Sequence, residues 1–229
     1  MLSVSNGRGK RVVGVAAANM VEEGMMIGIG TGTTAACFID ALIARVRKGL
    51  SIKAVATSEE SAGHAQSGGI PLLDIDAISS LDLAIDGADE VDPQRRLIKG
   101  GGGALLREKI IATLADEMLV MVDDSKLVDK LGTFGLPVEI VPFGYTHTLR
   151  QIQELGYKTT LRLGNGKEPY RTDNGNYLAD ISFSGLLDEP EMDDLVLRKI
   201  PGVIETGFFL GVAGRVLIGH ADGTVDIQG

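Results

Sequence analysis

The stretch MMIGIGTGTTAACFIDALIARVR (residues 25–47) decides the fold class. Its first six residues form the short apolar run that is typical of a buried strand, and residues 35–47 have the apolar spacing of a helix. The loop TGTT (residues 31–34) joins these two segments. The stretch therefore predicts a strand, a tight loop and a helix in direct succession.

The same alternation continues through the first half of the chain. Strand-like runs lie at residues 52–56, 81–85, 96–98 and 119–122, and helix-like runs lie at residues 60–68 and 104–117. Buried strands that alternate with helices predict an α/β fold, in which a mostly parallel, Rossmann-like sheet is flanked by helices.

The pattern changes near residue 131, where short strands predominate over helices. Strand-like runs lie at residues 138–142, 158–163 and 176–183, helix-like runs at 148–155 and 191–199, and a hairpin turn at TDNGN (172–176). A final hairpin, VLIGHADGTVDI (residues 216–227), is expected to return to the first domain. We therefore expect an α/β catalytic domain at residues 1–131 and 208–229, with a smaller inserted α+β domain at residues 132–207.

Composition argues against several classes of protein. The 229 residues carry a formal charge of −9, so we expect no nucleic-acid partner, because phosphate contacts require clustered Lys and Arg. The single cysteine, Cys37, allows neither an intrachain disulfide nor a Cys-rich metal site. No apolar run is long enough to cross a bilayer, so no membrane partner is expected either.

The N-terminal segment has two possible interpretations. A basic group at residues 8–11 precedes an apolar run at residues 12–18, an order that signal peptides also show. The run is short for that role and leads into two glutamates, so we expect an amphipathic helix and a cytoplasmic protein instead. The residues expected near one face of this helix are Val13, Ala17 and Val21.

Four polar clusters each follow a strand-like run directly. They are TGTT (31–34), DGAD (86–89), KGGGG (99–103) and DDSK (123–126). The carboxyl ends of parallel strands lie at one edge of a sheet, and ligands of α/β proteins bind at that edge. The sequence therefore predicts that the four clusters converge there.

The loop GIGTGTT has the composition of a phosphate-binding loop. Its glycines allow a tight turn, and the helix that follows presents unbonded N–H groups and the positive end of its dipole. The glycines do not fit the dinucleotide fingerprint, and no GK[ST] follows as in a Walker loop. A plain turn from strand to helix remains the alternative.

The next two clusters contain candidate acids and anion-binding groups. Asp86 and Asp89 of DGAD are candidates for proton transfer during the opening of a sugar ring, although Asp-Gly sequences also form ordinary turns. Lys99 enters a run of four glycines, which is entropically costly for an idle loop. Backbone N–H groups of this loop and the charge of Lys99 would stabilise a developing oxyanion.

Glu108, on the helix after the glycines, is a candidate general base. Leu105 and Ala112 flank it at helical spacing, and desolvation beside them would raise its pKa, an effect that the helix N-terminus opposes. The alternative from the residues alone is a solvated charged group, Arg107-Glu108-Lys109. The residues alone therefore do not decide whether Glu108 is a general base or a solvated surface residue.

Two lysines are candidates for holding a phosphate. Lys126 ends the DDSK cluster, and Lys10 lies in the N-terminal basic group. Isolated surface lysines are the alternative for both. The three histidines are scattered without the spacing of metal ligands, and no serine lies in a GxSxG motif.

The clusters, in this order, resemble the ribose-5-phosphate isomerase A family. The matching strings are GIGTGTTA, TSEES, DGADEVD, LIKGGGGALLREKIIA, DDSKLVDKLG with LPVEIVPF, TDNGNYLAD and IPGVIETGFF. The resemblance implies interconversion of ribose 5-phosphate and ribulose 5-phosphate without metal or organic cofactor. It also implies an α/β main domain, a smaller α+β domain and a homo-oligomer, often a dimer.

The resemblance also implies roles for particular residues. The family's proton-shuttling glutamate falls on Glu108, with Asp86, Asp89 and Lys99 as further catalytic candidates. The substrate-binding positions that it implies are Lys10, Thr31, Gly32, Thr33, Thr34, Asp86, Gly87, Ala88, Asp89, Lys99, Gly100, Gly101, Gly102 and Lys126. The match around Lys10 is the weakest of these.

Three other functions compete with this interpretation. Amino-sugar phosphate deaminases resemble these isomerases in fold, but no acid/base motif of a deaminase is found. A sugar-phosphate sensing module of a transcription regulator would bind without turnover, yet it would not need Glu108, and no basic recognition helix precedes the domain. A nucleotide-binding oxidoreductase is the weakest alternative because its glycine fingerprint is absent.

Overall fold

The computed structural model describes residues 4–229, and their side chains from residue 7 onward. The helices are α1 (Val4–Asn19), α2 (Thr33–Val46), α3 (Glu59–Ser67), α4 (Leu105–Leu114), α5 (Tyr145–Glu154) and α6 (Pro190–Leu197). The strands are β1 (Met26–Ile29), β2 (Lys53–Ala56), β3 (Leu81–Gly87), β4 (Glu90–Val91), β5 (Leu97–Ile98), β6 (Ala115–Asp123), β7 (Leu136–Ile140), β8 (Lys158–Leu161), β9 (Tyr177–Ser182), β10 (Val203–Thr206), β11 (Phe208–Phe209), β12 (Ala213–Gly219) and β13 (Val225–Gln228).

The chain forms two compact units. The first contains the described residues up to Ala88 together with Arg107–Leu127 and Gly211–Gly229, and the second contains Asp89–Leu106 and Val128–Leu210. Residues 89–106 thus group with the second unit, whereas the sequence-based division assigned them to the catalytic domain. They do so because β5 lies between β4 and β11 and pairs with both of them. The domain boundaries at residues 131 and 207 stay a prediction.

The first unit is built on a six-stranded sheet in the order β13-β12-β6-β3-β1-β2. All of its strand pairs are parallel except β12 with β13. This arrangement confirms the predicted α/β class. It also shows that the C-terminal hairpin, β12 and β13, extends the first sheet through β6.

Apolar side chains of the sheet and of the first two helices form one core. On α1, Val13 and Ala17 are fully buried, as predicted, and Phe38 of α2 packs with them against the central strands. Val21 is buried as well, but it lies beyond the end of α1 at Asn19, so its predicted place on the helix is wrong. The buried strand residues of this core include Ile27, Ile29, Leu83, Ile85, Leu119, Met121 and Leu217. Removing these side chains from water is the main source of free energy that holds the parallel sheet together.

The predicted boundary between the fourth helix and the strand that follows it is wrong. The helix expected at residues 104–117 ends at Leu114, and strand β6 begins at Ala115. Residues 115 and 117 pair with β3, and the carboxylate of Glu117 binds the guanidinium of Arg215 at 2.7 and 2.8 Å. These long-range contacts override a local helical pattern.

The strand before the glycine run does not belong to the parallel sheet. β5 has two residues and lies in a separate three-stranded sheet, β11-β5-β4, with antiparallel pairing on both sides. The prediction that KGGGG follows a strand of the parallel sheet is therefore wrong. The prediction holds for TGTT after β1, for Asp86 and Gly87 at the end of β3, and for DDSK at the end of β6.

The second unit contains an antiparallel sheet in the order β10-β7-β9-β8. Helices α5 and α6 contribute Ile152 and Leu197 to its apolar core. The predicted turn at residues 172–176 is present: Gly175 has a φ of 79°, and its N–H donates to the carbonyl of Thr172. Among the described residues, no helix is long and apolar enough to span a membrane.

Candidate active site

The TGTT loop connects β1 to the N-terminus of α2. The helix begins after Gly32, and its first turn contains no acidic side chain. The first N–H groups of any helix lack partners within it, so this end of α2 is suited to an anion. Nζ of Lys10 donates a hydrogen bond to Oγ1 of Thr33 at 2.9 Å. The structure thus places Lys10 beside the TGTT loop, and its role as a phosphate contact stays a prediction.

A network of hydroxyl groups holds Thr31 in place. Oγ1 of Thr31 lies 2.6 Å from Oγ1 of Thr57 and 2.8 Å from Oγ of Ser58. Ser61 donates to the carbonyl of Gly30 at 2.7 Å, and Ser58 caps α3 by accepting from the N–H of Ser61. Sequence reasoning quoted TSEES for the resemblance but gave its hydroxyls no role, because nothing local shows that α3 faces the loop.

Asp86 is buried, with 3% of its surface exposed. Its Oδ1 accepts the N–H of Thr31 at 3.1 Å and the N–H of Gly87 at 2.7 Å. The carboxylate lies so close to Gly30 that a Cβ at that position would overlap it. Asp86 therefore belongs to a fixed arrangement with the TGTT loop and is not part of a solvated acidic turn.

Glu108 is also buried, with 4% of its surface exposed. It lines one small cavity with Asp86 that has no room for a water molecule. The other lining residues, mostly apolar, are Gly28, Gly30, Thr57, Ala84, Ile85, Ile111, Ala112 and Met118. This burial decides against the solvated group Arg107-Glu108-Lys109. Two carboxyl groups in a largely apolar cavity are typical of acid/base sites.

The DDSK cluster forms a single 3₁₀ turn, Asp124–Lys126, after β6. Oδ1 of the buried Asp123 caps the turn by accepting from the N–H of Ser125 at 3.0 Å and from its hydroxyl. Lys126 is half-buried at the end of this turn. Because β1, β3 and β6 are parallel neighbours, Asp86 near the end of β3 and Lys126 just after β6 lie at the same edge of the sheet as the TGTT loop.

The glycine run lies in the second unit. The N–H of Lys99 donates to the carbonyl of Gly207 at 2.9 Å, and Nζ of Lys99 lies 5.3 Å from the ring centroid of Phe209. Only 2% of Lys99 is exposed. A buried ammonium held over an aromatic ring is a fixed positive charge.

Asp89 holds the glycine run from one side. Its Oδ2 accepts the N–H of Gly101 at 2.8 Å, and a Cβ at Gly101 would lie 2.8 Å from its Oδ1. Gly100 has a φ of 97°, a backbone conformation that side chains strongly disfavour. Gly101 and Gly102 are exposed, and Ala88 is half-buried. The structure thus explains why this loop needs glycines.

Among the side chains from residue 7 onward, no group of three or more His, Cys, Asp or Glu residues has the geometry of a metal site. The fold, with the first unit's carboxylates, lysines and helix N-terminus, is typical of α/β enzymes that act on small anionic substrates. Comparison with known proteins narrows this class to one family.

A sequence model described as ribose 5-phosphate isomerase A (phosphoriboisomerase A) matches residues 53–223. Ribose-5-phosphate isomerase A of Protochlamydia amoebophila is 47% identical over 220 residues, which cover 96% of this chain and 95% of that protein. The chain belongs to the ribose 5-phosphate isomerase A family, and it is an isomerase.

Solved structures agree with this assignment. Ribose 5-phosphate isomerase A from Methanocaldococcus jannaschii superposes with a TM-score of 0.92 at 40% identity, covering 97% of this chain and 99% of that chain. A D-ribose-5-phosphate isomerase in complex with phospho-erythronic acid superposes with a TM-score of 0.91 at 38% identity, covering 96% and 97%.

Proposed function

We propose that this chain interconverts D-ribose 5-phosphate and D-ribulose 5-phosphate through an enediolate, as a step of the non-oxidative pentose phosphate pathway. The observation that carries the proposal is the burial of Glu108 in one cavity with Asp86. The family assignment supports it, as does the complex of a relative with phospho-erythronic acid, a phosphorylated sugar acid.

The proposed reaction moves two hydrogens and needs no oxidant or reductant. A base removes the proton from C2 of the open-chain aldose and returns a proton to C1, while a proton passes from the C2 hydroxyl to the C1 oxygen. Glu108 is proposed as the base that acts at both carbons, because one carboxylate suffices for both transfers.

Negative charge on the enediolate oxygens requires fixed positive partners. We assign this role to Lys99 and to those N–H groups of the loop Gly100 to Gly102 that Asp89 does not bind, since the N–H of Gly101 already donates to that carboxylate. The phosphate is assigned to the N-terminus of α2, residues 31–34, with Lys10 and Lys126. Because the protein carries a charge of −9, these local groups must overcome an unfavourable overall field.

Ring opening requires a group that moves a proton between the ring oxygen and the C1 hydroxyl. Asp86 and Asp89 are both candidates, and each already accepts a backbone N–H. We propose that one of the two serves this step while the hydrogen bond holds it in place. Gly87 and Ala88, between them, complete the proposed substrate-binding segment.

Assembly and location complete the proposal. We propose a homodimer with no resident cofactor, as the family resemblance implies, and a cytoplasmic location, as the interpretation of the N-terminal segment as an amphipathic helix favours. Sedimentation equilibrium of the purified chain tests the assembly: a mass of two chains supports the dimer, and a mass of one chain contradicts it.

The activity is tested by an assay of the purified chain with ribose 5-phosphate after exhaustive chelation, following ribulose 5-phosphate through a coupled reaction. Turnover in chelator is expected. Calorimetric binding of ribose 5-phosphate without turnover would favour a sensor module instead. Absence of both would contradict the proposed substrate.

A further inference from the structure

Arg162, which directly follows β8, is held rigidly within the second unit. Its Nε donates to Oδ2 of Asp180 at 2.9 Å, and its Nη2 donates to Oδ1 of the same carboxylate. Its backbone N–H donates to the carbonyl of Leu178 at 2.8 Å. A guanidinium that is paired through two parallel hydrogen bonds has little rotational freedom left.

The remaining arm of this guanidinium reaches the glycine run. Nη1 of Arg162 donates to the carbonyl of Gly100 at 3.2 Å and to the carbonyl of Gly101 at 3.1 Å. The ring centroid of Tyr170 lies 6.0 Å from Cζ of Arg162, and its hydroxyl lies 3.5 Å from the carbonyl of Gly102. One charged side chain thus binds two successive carbonyl groups of the loop.

The contacts of Arg162 with these two carbonyl groups also determine the directions of the N–H groups that follow them. In a trans peptide the C=O and the following N–H point in opposite directions. The carbonyl of Gly100 points to Arg162, and the N–H of Gly101 on the same peptide points to Asp89. The carbonyl of Gly101 also points to Arg162, so the N–H of Gly102 is directed away from it, on the exposed side of the loop.

We propose that Arg162 is a positioning residue for the isomerisation, which fixes the peptide planes of the Gly100–Gly102 loop so that the N–H of Gly102 faces the developing enediolate charge. The inference rests on the role proposed above for this loop. The loop needs such a constraint because glycine loses the most conformational freedom on ordering. Asp180 contributes to the same positioning, since its carboxylate fixes the orientation of the Arg162 guanidinium.

The alternative is that Arg162 only fastens the loop to the antiparallel sheet. A fastening role changes stability and leaves turnover of the folded enzyme unchanged. A positioning role lowers kcat, because a displacement of about 1 Å at a reacting group costs about 100-fold in rate. The two roles are therefore separated by kinetics of the folded variant.

The experiment measures kcat, KM and the unfolding temperature of Arg162→Ala with ribose 5-phosphate, with and without added guanidinium ion at concentrations that do not unfold the protein. We expect kcat to fall by about 10- to 100-fold, up to the cost of a displacement of about 1 Å at a reacting group, with KM within about threefold. Added guanidinium should restore part of kcat because it can occupy the vacated position between Asp180 and the carbonyls.

Arg215→Ala is the matched control. Arg215 is paired with both carboxylate oxygens of Glu117 in the first unit, so its loss removes a comparable ion pair. Its kcat should stay within about twofold of wild type and should not respond to guanidinium.

Several outcomes would overturn the inference. One is a folded Arg162→Ala variant with wild-type kcat, and another is a lowered kcat that guanidinium does not raise. If Arg162→Ala does not fold, Arg162→Lys decides, because lysine keeps the charge but not the planar fork. A lowered kcat in folded Arg162→Lys supports positioning, and a wild-type kcat contradicts it. An inactive wild type would instead overturn the proposed function itself, together with this inference.

Discussion

The carboxylate of Asp86 accepts the backbone N–H of Thr31 at 3.1 Å and lies directly over Gly30. This contact joins the end of β3 to the loop between β1 and α2. The candidate acid Asp86 and the proposed phosphate loop are therefore in direct contact, and a substitution in one of them should displace the other.

Gly30→Ala should lower both activity and stability. A methyl group at this position overlaps the Asp86 carboxylate, so the acid or the loop must shift. We expect kcat to fall by about tenfold or more, in line with the sensitivity of rates to small displacements. Enzyme kinetics and thermal unfolding check this.

Gly63→Ala is the control for that substitution. Gly63 lies in α3, and a Cβ there would have no neighbour within 4 Å. Alanine in a helix interior is more stable than glycine by about 0.5–1 kcal/mol, so this variant should be as stable as wild type or more so. Equal effects of the two substitutions would contradict the argument from Asp86.

Lys126→Ala should mainly weaken substrate binding. A lysine that holds a phosphate contributes in the ground state and in the transition state alike, so KM should rise while kcat changes little. Kinetics with ribose 5-phosphate measure both. Lys53→Ala, at an exposed position of β2, is the control and should have wild-type KM. An unchanged KM in Lys126→Ala would remove this residue from the proposed phosphate site.

The ion pairs of His220 should make stability depend on pH. Nδ1 lies 2.6 Å from Oδ1 of Asp124, and Nε2 lies 3.1 Å from Oδ2 of Asp226. Desolvation lowers the pKa of His220, but the hydrogen bonds and charges of Asp226 and Asp124 outweigh it, so the pKa is raised overall. The folded protein thus binds this proton more tightly than the unfolded chain.

The stabilisation of the folded protein by the ion pairs of His220 should be fully present below the ordinary histidine pKa of about 6.5. It should disappear as the pH rises through the raised value. Unfolding temperatures of wild type and His220→Gln between acidic and alkaline pH test this. Wild type should be the more stable at low pH, and the two should converge at high pH. Asp226→Asn should reduce the difference, and a difference that grows with pH would contradict the assignment.

The fold and much of the first unit's candidate site could be predicted from the sequence. Apolar runs followed by polar clusters identify strand ends wherever a parallel sheet orders them, which is why the positions of Thr31 and Asp86 follow from pattern alone. Local pattern also predicted the turn at residues 172–176. Its side chains have a further purpose that no pattern shows: Thr172, Asn174 and Asn176 all donate to the buried carboxylate of Glu139.

What could not be predicted depends on contacts between distant segments. β5 is too short for its sequence to reveal antiparallel partners, and β6 begins early because Glu117 meets Arg215. The hydroxyls of Thr57 and Ser61, and the guanidinium of Arg162, gain their roles only when the chain folds back on itself. The burial of Glu108 could not be predicted either. From the sequence alone, its charged neighbours Arg107 and Lys109 favour an exposed position.

The central claim is that Glu108 is the base of the isomerisation. The most direct measurement is kcat of Glu108→Gln with ribose 5-phosphate, together with calorimetric binding of phospho-erythronic acid. Glu60→Gln, at an exposed position of α3, serves as the control. Because a base acts on the barrier, kcat should fall by several orders of magnitude while affinity stays within about tenfold. A glutamine variant that binds and turns over at nearly the wild-type rate would contradict the account.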